Sequence, residues 1–122
     1  RRLRKMLGGG MRQAGILAAA GLHALENHVD RMAEDHANAR RLAEGLAEAG
    51  PVGVDVDDID TNMLFIEPKA EDVEPLRASL KDQGIVLGAP RPSKIRVVTH
   101  LDITSQDVDR IVDAVKGFYA NR

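Results

Sequence analysis

Apolar side chains recur along this chain first at helical and then at strand spacing, and the change falls at Gly50-Pro51. Over residues 11–25, Ile16, Leu17, Ala20, Leu22, Ala24 and Leu25 are apolar nearly all the way round, with Gly15 and Gly21 inside. The pattern predicts a helix that wants burial on several sides. Each interior glycine costs about 1 kcal/mol relative to alanine, which is tolerable where another backbone packs closely. Residues 30–49 predict a longer helix with Asp30 as its N-cap. Met32, His36, Ala39, Ala43 and Leu46 mark its apolar side, with Val29 before them and Leu42 alongside; Glu34, Asp35, Arg40, Arg41, Glu44 and Glu48 fill the wet side. Gly50-Pro51 stops it.

Beyond that stop the period becomes two. Val52, Val54 and Val56 alternate with Gly53 and Asp55 and predict a short strand, followed by a turn at Asp57-Asp58-Ile59-Asp60 and a more apolar strand over 61–66. Residues 72–83 predict a helix with Val73, Leu76 and Leu80 on one face, Pro75 in the first turn and Gly84 after the end. A short strand over 85–87, a loop over 88–93 and a strand over 95–99 follow. Thr104 and Asp107 resemble a capping box, and the closing helix presents Val108, Ile111, Val112, Val115 and Phe118. Two helices, then strand-strand-helix-strand-strand-helix, predict an α+β fold: a mostly antiparallel four-stranded sheet with helices on one face. Residues 1–28 read as an arm and helix belonging to an interface or to a further domain, and residues 29–122 as a small α+β domain.

Charge changes this picture at one place. Net charge is −2, yet residues 1–12 hold Arg1, Arg2, Arg4, Lys5 and Arg12 and no acid, so the rest is distinctly acidic. A nucleic-acid binder is more often basic along a whole face. Phe65, Phe118 and Tyr119 are the only aromatic residues, which leaves almost nothing for base stacking. No apolar run approaches the roughly 20 residues of a membrane span. No cysteine is present, which rules out disulfides and thiolate metal sites and fits a reducing compartment; the cytoplasm is the expected location. The chain begins with Arg1 rather than methionine, and the expectation is that it is the back part of a longer protein.

Chemistry could sit at two places. The cations of residues 1–12 surround Gly8-Gly9-Gly10, where bare backbone beside fixed positive charge suits an anionic ligand such as phosphate. The same triplet also reads as a flexible joint, and it is not a P-loop, because no Gly-Lys-Ser/Thr ending follows. Arg96 stands between Ile95 and Val97 and shares a strand face with Lys94 and Val98. It reads either as an edge-strand arginine facing water or as a rigid guanidinium that grips a carboxylate with two hydrogen bonds. His23, His28 and His36 lack metal spacing, and Asp57, Asp58 and Asp60 lack the glycine and closing glutamate of a calcium loop. No metal site is expected. His100 ends a strand beside Arg96 and is a candidate supporting residue.

Four stretches carry a resemblance: Arg4 to Gln13 (Arg-Lys-Met-Leu-Gly-Gly-Gly-Met-Arg-Gln), Asp35-His36 with Asn38 and Ala39, Thr61-Asn62-Met63, and Arg96 to Asp102 (Arg-Val-Val-Thr-His-Leu-Asp). Together they resemble the C-terminal part of the threonine aldolases, pyridoxal-phosphate enzymes of the aspartate-aminotransferase-like fold. The resemblance implies reversible cleavage of threonine or allo-threonine to glycine and acetaldehyde, with pyridoxal phosphate as electron sink. It implies that Arg96 holds the substrate carboxylate and that Lys5 and Arg12 stand near the cofactor. It also implies a homo-oligomer, and an N-terminal large domain carrying the Schiff-base lysine, which has no counterpart here: Ser93-Lys94 is followed by Ile95 and lies in the wrong place. The chain alone is therefore expected to be inactive. Two other readings stay open, a free-standing α+β ligand-binding or regulatory module, and a related pyridoxal-phosphate lyase acting on another β-hydroxy amino acid.

Overall fold

In a computed structural model the chain divides into two units, Arg1–Arg31 and Met32–Arg122; residues 1–90 and 93–121 are described. The first unit holds a short helix α1 (Arg2–Met6) and helix α2 (Gly15–Asn27). α1 was not legible as a helix, and it gives the glycine triplet its local meaning. Gly8 takes φ +86, a conformation that costs glycine little. Its N–H donates to the Lys5 carbonyl and that of Gly9 donates to the Arg4 carbonyl, so the two close α1 with a Schellman motif. The triplet is thus neither a free joint nor wholly bare backbone, because two of its three N–H groups end a helix. α2 has no buried residue, and nothing lies within 4 Å of where a Cβ would stand on Gly15 or Gly21. The close backbone approach expected at those glycines is not made within the unit.

The second unit comprises α3 (Met32–Ala47), β1 (Val52–Val54), β2 (Met63–Pro68), a 3-10 turn over Ala70–Asp72, α4 (Val73–Asp82), β3 (Ile95–Val98) and α5 (Ser105–Ala120). The α+β class stands, with a sheet of three strands in the order β1-β2-β3, both pairings antiparallel. The fourth strand expected over 85–87 does not form. Gly84 at φ +77 and Ile85 instead end α4 in a second Schellman motif, through Gly84 N–H to Lys81 and Ile85 N–H to Leu80. That commits the Ile85 N–H to the helix and leaves Val86 81% exposed. The loop expected over 88–93 includes residues 91 and 92, which lie outside the described residues.

Alternation along β2 decides which face of the sheet is covered. Leu64 and Ile66 point inward with Val52 and Ile95, against Leu42 and Leu46 of α3, Leu76 and Leu80 of α4, and Val108 and Val115 of α5. α3 begins at Met32, so Arg31 rather than Asp30 precedes it. Its inner face runs Asp35, Ala39, Leu42, Ala43, Leu46. Asp35, expected on the wet side, is 7% exposed, whereas Met32 is 47% exposed and His36 is also outside. Where α3 crosses α5, a Cβ on Gly45 would meet Val112 Cγ2 at 2.5 Å. Arg41 donates from Nε and Nη2 to both carboxylate oxygens of Asp109 across the same helix pair. Both side chains are half exposed, so that fork adds little beside the apolar contacts.

Asp35 is inside because α3 carries a polar anchor for the end of β3. Thr99, 1% exposed, donates from Oγ1 to the Asp35 carbonyl at 2.6 Å. Its N–H donates to the Asn62 carbonyl at 2.9 Å, and Asn62 Nδ2 returns a 2.6 Å bond to the Thr99 carbonyl. Three residues further along α3, Asn38 Nδ2 donates to the Ile103 carbonyl at 3.0 Å. Both ends of the turn between β3 and α5 are therefore tied to α3. The expected capping box then starts α5: Thr104 Oγ1 accepts from Asp107 N–H, and the Asp107 carboxylate accepts from Thr104 N–H.

Thr99→Val keeps the shape and removes the donor. We expect a loss of about 1–2 kcal/mol in urea denaturation, with Thr99→Ser restoring most of it. Gly45→Ala should cost about 1–3 kcal/mol by forcing α5 away from α3. Hydrogen bonds from Thr104 hold the Asp107 carboxyl below its ordinary 3.8. A lowered folded value means that the cap stabilises above that ordinary pH and fades as pH falls through the folded one. Melting temperatures measured from pH 7 downward should fall less steeply below pH 4 in Asp107→Asn than in the parent.

Candidate functional site

Three cross-strand pairs make the open face of the sheet. Antiparallel register sets Met63 opposite Val98 and Phe65 opposite Arg96. One step further along the ladder, Lys94 meets Glu67, Nζ to Oε1 at 2.6 Å. Phe65 is 44% exposed and Val98 36%, because α3, α4 and α5 all pack on the other face. β3 is an edge strand, so Arg96 occupies the water-facing position of the simpler expectation. It also has what a ligand-binding guanidinium needs: among the described residues it makes no hydrogen bond or ion pair, and it borders a cavity of about 290 Å³ with Phe65, Gly88, Ala89 and Lys94. An uncommitted planar fork beside an aromatic wall suits a carboxylate.

His100 is brought to Arg96 by the anchored turn, and both line a second cavity of about 350 Å³ along the free edge of β3, with Leu87, Asp102 and Arg110. The Asp102 N–H donates to His100 Nδ1 at 3.3 Å, which leaves the neutral ring its proton on Nε2. Asp102 Oδ2 stands 3.8 Å from the same Nδ1, so a protonated ring would also have a carboxylate beside it. His100 is thus oriented by Asp102 and half exposed.

Lys94 is held differently. The hydrogen bond that it donates to Glu67, then the Glu67 charge, then the more distant Asp58 and Asp55, raise its pKa above the ordinary 10.5. An ammonium stabilised in this way is a cation at neutral pH and a poor nucleophilic amine.

Lys5 and Arg12 belong to the first unit, both exposed. Lys5 Nζ lies 3.6 Å from where a Cβ would stand on Gly10, so ammonium and bare backbone adjoin there. Gly10 is the one member of the triplet whose N–H is not given to the α1 cap. Sequence reasoning missed Glu67 and the Thr99 anchor. Only the strand register joins Glu67 to Lys94. Asp35, Asn38, Asn62 and Thr99 were visible as motif residues, but contacts spanning up to 65 positions leave no trace in local periodicity.

The sequence model of the family described as Beta-eliminating lyase matches residues 1–69. Over 98% of its length the chain is 44% identical to the low specificity L-threonine aldolase of Escherichia coli strain K12, covering 34% of that protein. It is 42% identical to low-specificity L-threonine aldolase 1 of Arabidopsis thaliana over 87% of the chain and 30% of the relative. An alanine racemase of Cochliobolus carbonum is 30% identical over 93% of the chain and 30% of its own length. The chain spans about a third of the length of the curated relatives it matches. Arg96 and His100 lie beyond the stretch matched by the family model and within the span shared with the relatives. With more than half of its residues inside that model, the chain belongs to the Beta-eliminating lyase family.

Proposed function

We propose that this chain supplies the carboxylate-binding arginine of a pyridoxal-phosphate-dependent aldolase that cleaves threonine or allo-threonine to glycine and acetaldehyde. The observation that carries the reading is Arg96: a guanidinium with no hydrogen bond or ion pair among the described residues, on an edge strand opposite Phe65 and lining a cavity. Relatives named as threonine aldolases share nearly the whole chain with it.

Arg96 would bind the α-carboxylate through two N–H donors, with Phe65 covering one side of the pair against water. Two bonds from a planar group fix the orientation of the substrate backbone, and orientation is a large part of what a lyase must control. Phe65 does not compete for the guanidinium, as a carboxylate opposite it would. With its Nδ1 accepting from the Asp102 N–H, the His100 ring in its neutral form carries its donor on Nε2.

Pyridoxal phosphate, when bound, supplies an electron-accepting ring for the pair released as the Cα–Cβ bond breaks. The residues of the first unit fit its phosphate end: Lys5 and Arg12 are cationic, and Gly10 leaves backbone uncovered next to Lys5 Nζ. Gly8 and Gly9 contribute through the α1 cap and not through free N–H groups. Lys94 does not fit the role of the amine that carries the cofactor, because its pairing with Glu67 keeps it protonated. By this reading the chain alone holds carboxylate and phosphate without completing the reaction.

Two measurements test this. In the full-length protein, Arg96→Lys should lower kcat/KM by about 2–4 kcal/mol, roughly 30- to 1000-fold, since lysine cannot form the planar fork; near-parent kcat/KM removes Arg96 from the site. The purified chain incubated with pyridoxal phosphate and reduced with borohydride should show only scattered, substoichiometric lysine labelling by mass spectrometry, with little at Lys94. Stoichiometric labelling of a single lysine would mean that the chain builds its own cofactor anchor.

A further inference from the structure

Two cations, Lys94 and Arg96, line the cavity of about 290 Å³ on the open face. They stand two residues apart on one strand face, about 7 Å along the backbone. Only one of them is available. Lys94 is bound to Glu67 at 2.6 Å, while Arg96 has no acidic partner among the described residues. Lys94 also lines a hollow with Asp55, Asp58, Asp60 and Glu67, so acidic groups surround it and not Arg96. The face thus reads as a neutralised pair, a free guanidinium against an aromatic ring, and an apolar pair, in that order along the ladder.

We propose that Glu67 is a specificity-determining residue: by holding Lys94, it restricts the Arg96 cavity to amino acids with a single carboxylate and disfavours those with a second carboxylate on the side chain. The proposal rests on the reading of Arg96 as the carboxylate-binding group. Its physical content is charge matching. A ligand with one carboxylate satisfies Arg96 and brings no further negative charge to the cavity. A ligand with two would have to displace Glu67 from Lys94, or set its second carboxylate near Glu67 and meet like-charge repulsion. Lys94 and Glu67 are each about half exposed, so the discrimination is modest and weakens with salt.

The test is an NMR titration of the ¹⁵N-labelled chain with threonine, which has one carboxylate, and with aspartate, which has two, at low ionic strength. Glu67→Gln should raise the ratio of aspartate to threonine affinity by about 3- to 10-fold over the parent. The gain should shrink when salt is raised and vanish in Glu67→Gln/Lys94→Met, which tracks the effect to the released ammonium. Arg96→Gln should abolish the threonine response. An unchanged ratio in Glu67→Gln, with threonine binding still dependent on Arg96, overturns this inference alone. Threonine binding that survives Arg96→Gln, or a parent chain with no threonine response, overturns the reading of Arg96 beneath it.

Discussion

Thr99 is the point on which the geometry of the second unit turns. Its N–H, hydroxyl and carbonyl are all engaged, one with α3 and two with Asn62 at the start of β2. Side chains alternate across a strand, so a slip of one residue between β2 and β3 would carry Arg96 into the core and Ile95 out of it. Apolar burial resists such a slip, and so does the cost of carrying the Arg96 guanidinium inside. The paired bonds between Asn62 and Thr99 admit one register only. The placement of Arg96 opposite Phe65 follows from hydrogen bonds made three residues further along the strand.

The same anchor joins sheet to helix. Asp35 and Asn38 lie one turn apart on α3, and between them they hold both ends of the turn that carries His100. The turn is oriented by the most deeply packed helix of the unit. The two residues differ in how they contribute. Asn38 uses its side chain, whereas Asp35 uses a backbone carbonyl at a helical position that must be buried for Thr99 to reach it.

How far these features could be read from sequence depends on the range of the interaction that makes them. The capping box at Thr104 and Asp107, the stop at Gly84 and the apolar strand that holds Leu64 and Ile66 are local, and each was legible. Ile85–Leu87 had the composition of a strand and failed to become one, because a helix ending upstream claimed the first N–H. α1 went unread because five residues carry too little periodicity, although Gly8 marked its end. Asp35 was misplaced for a different reason: charge suggests solvent, and the bond its backbone carbonyl accepts from Thr99, 64 positions away, leaves no trace in local periodicity. At the candidate site, Arg96 was legible as an anomaly within an apolar strand, while Glu67 became meaningful only once register set it against Lys94.

Edge strands present unpaired N–H and C=O groups to any other chain with a compatible strand, and β3 is such a strand, paired on one side by β2. Its cation therefore has a second consequence, independent of any ligand. Arg96 stands within β3, and two copies of the strand paired edge to edge in register about it would set one guanidinium against the other. Only a partner that carries acidic groups, or covers the face from outside the sheet plane, approaches without that penalty. The guanidinium that lines the open-face cavity also disfavours assembly of that edge with its own kind.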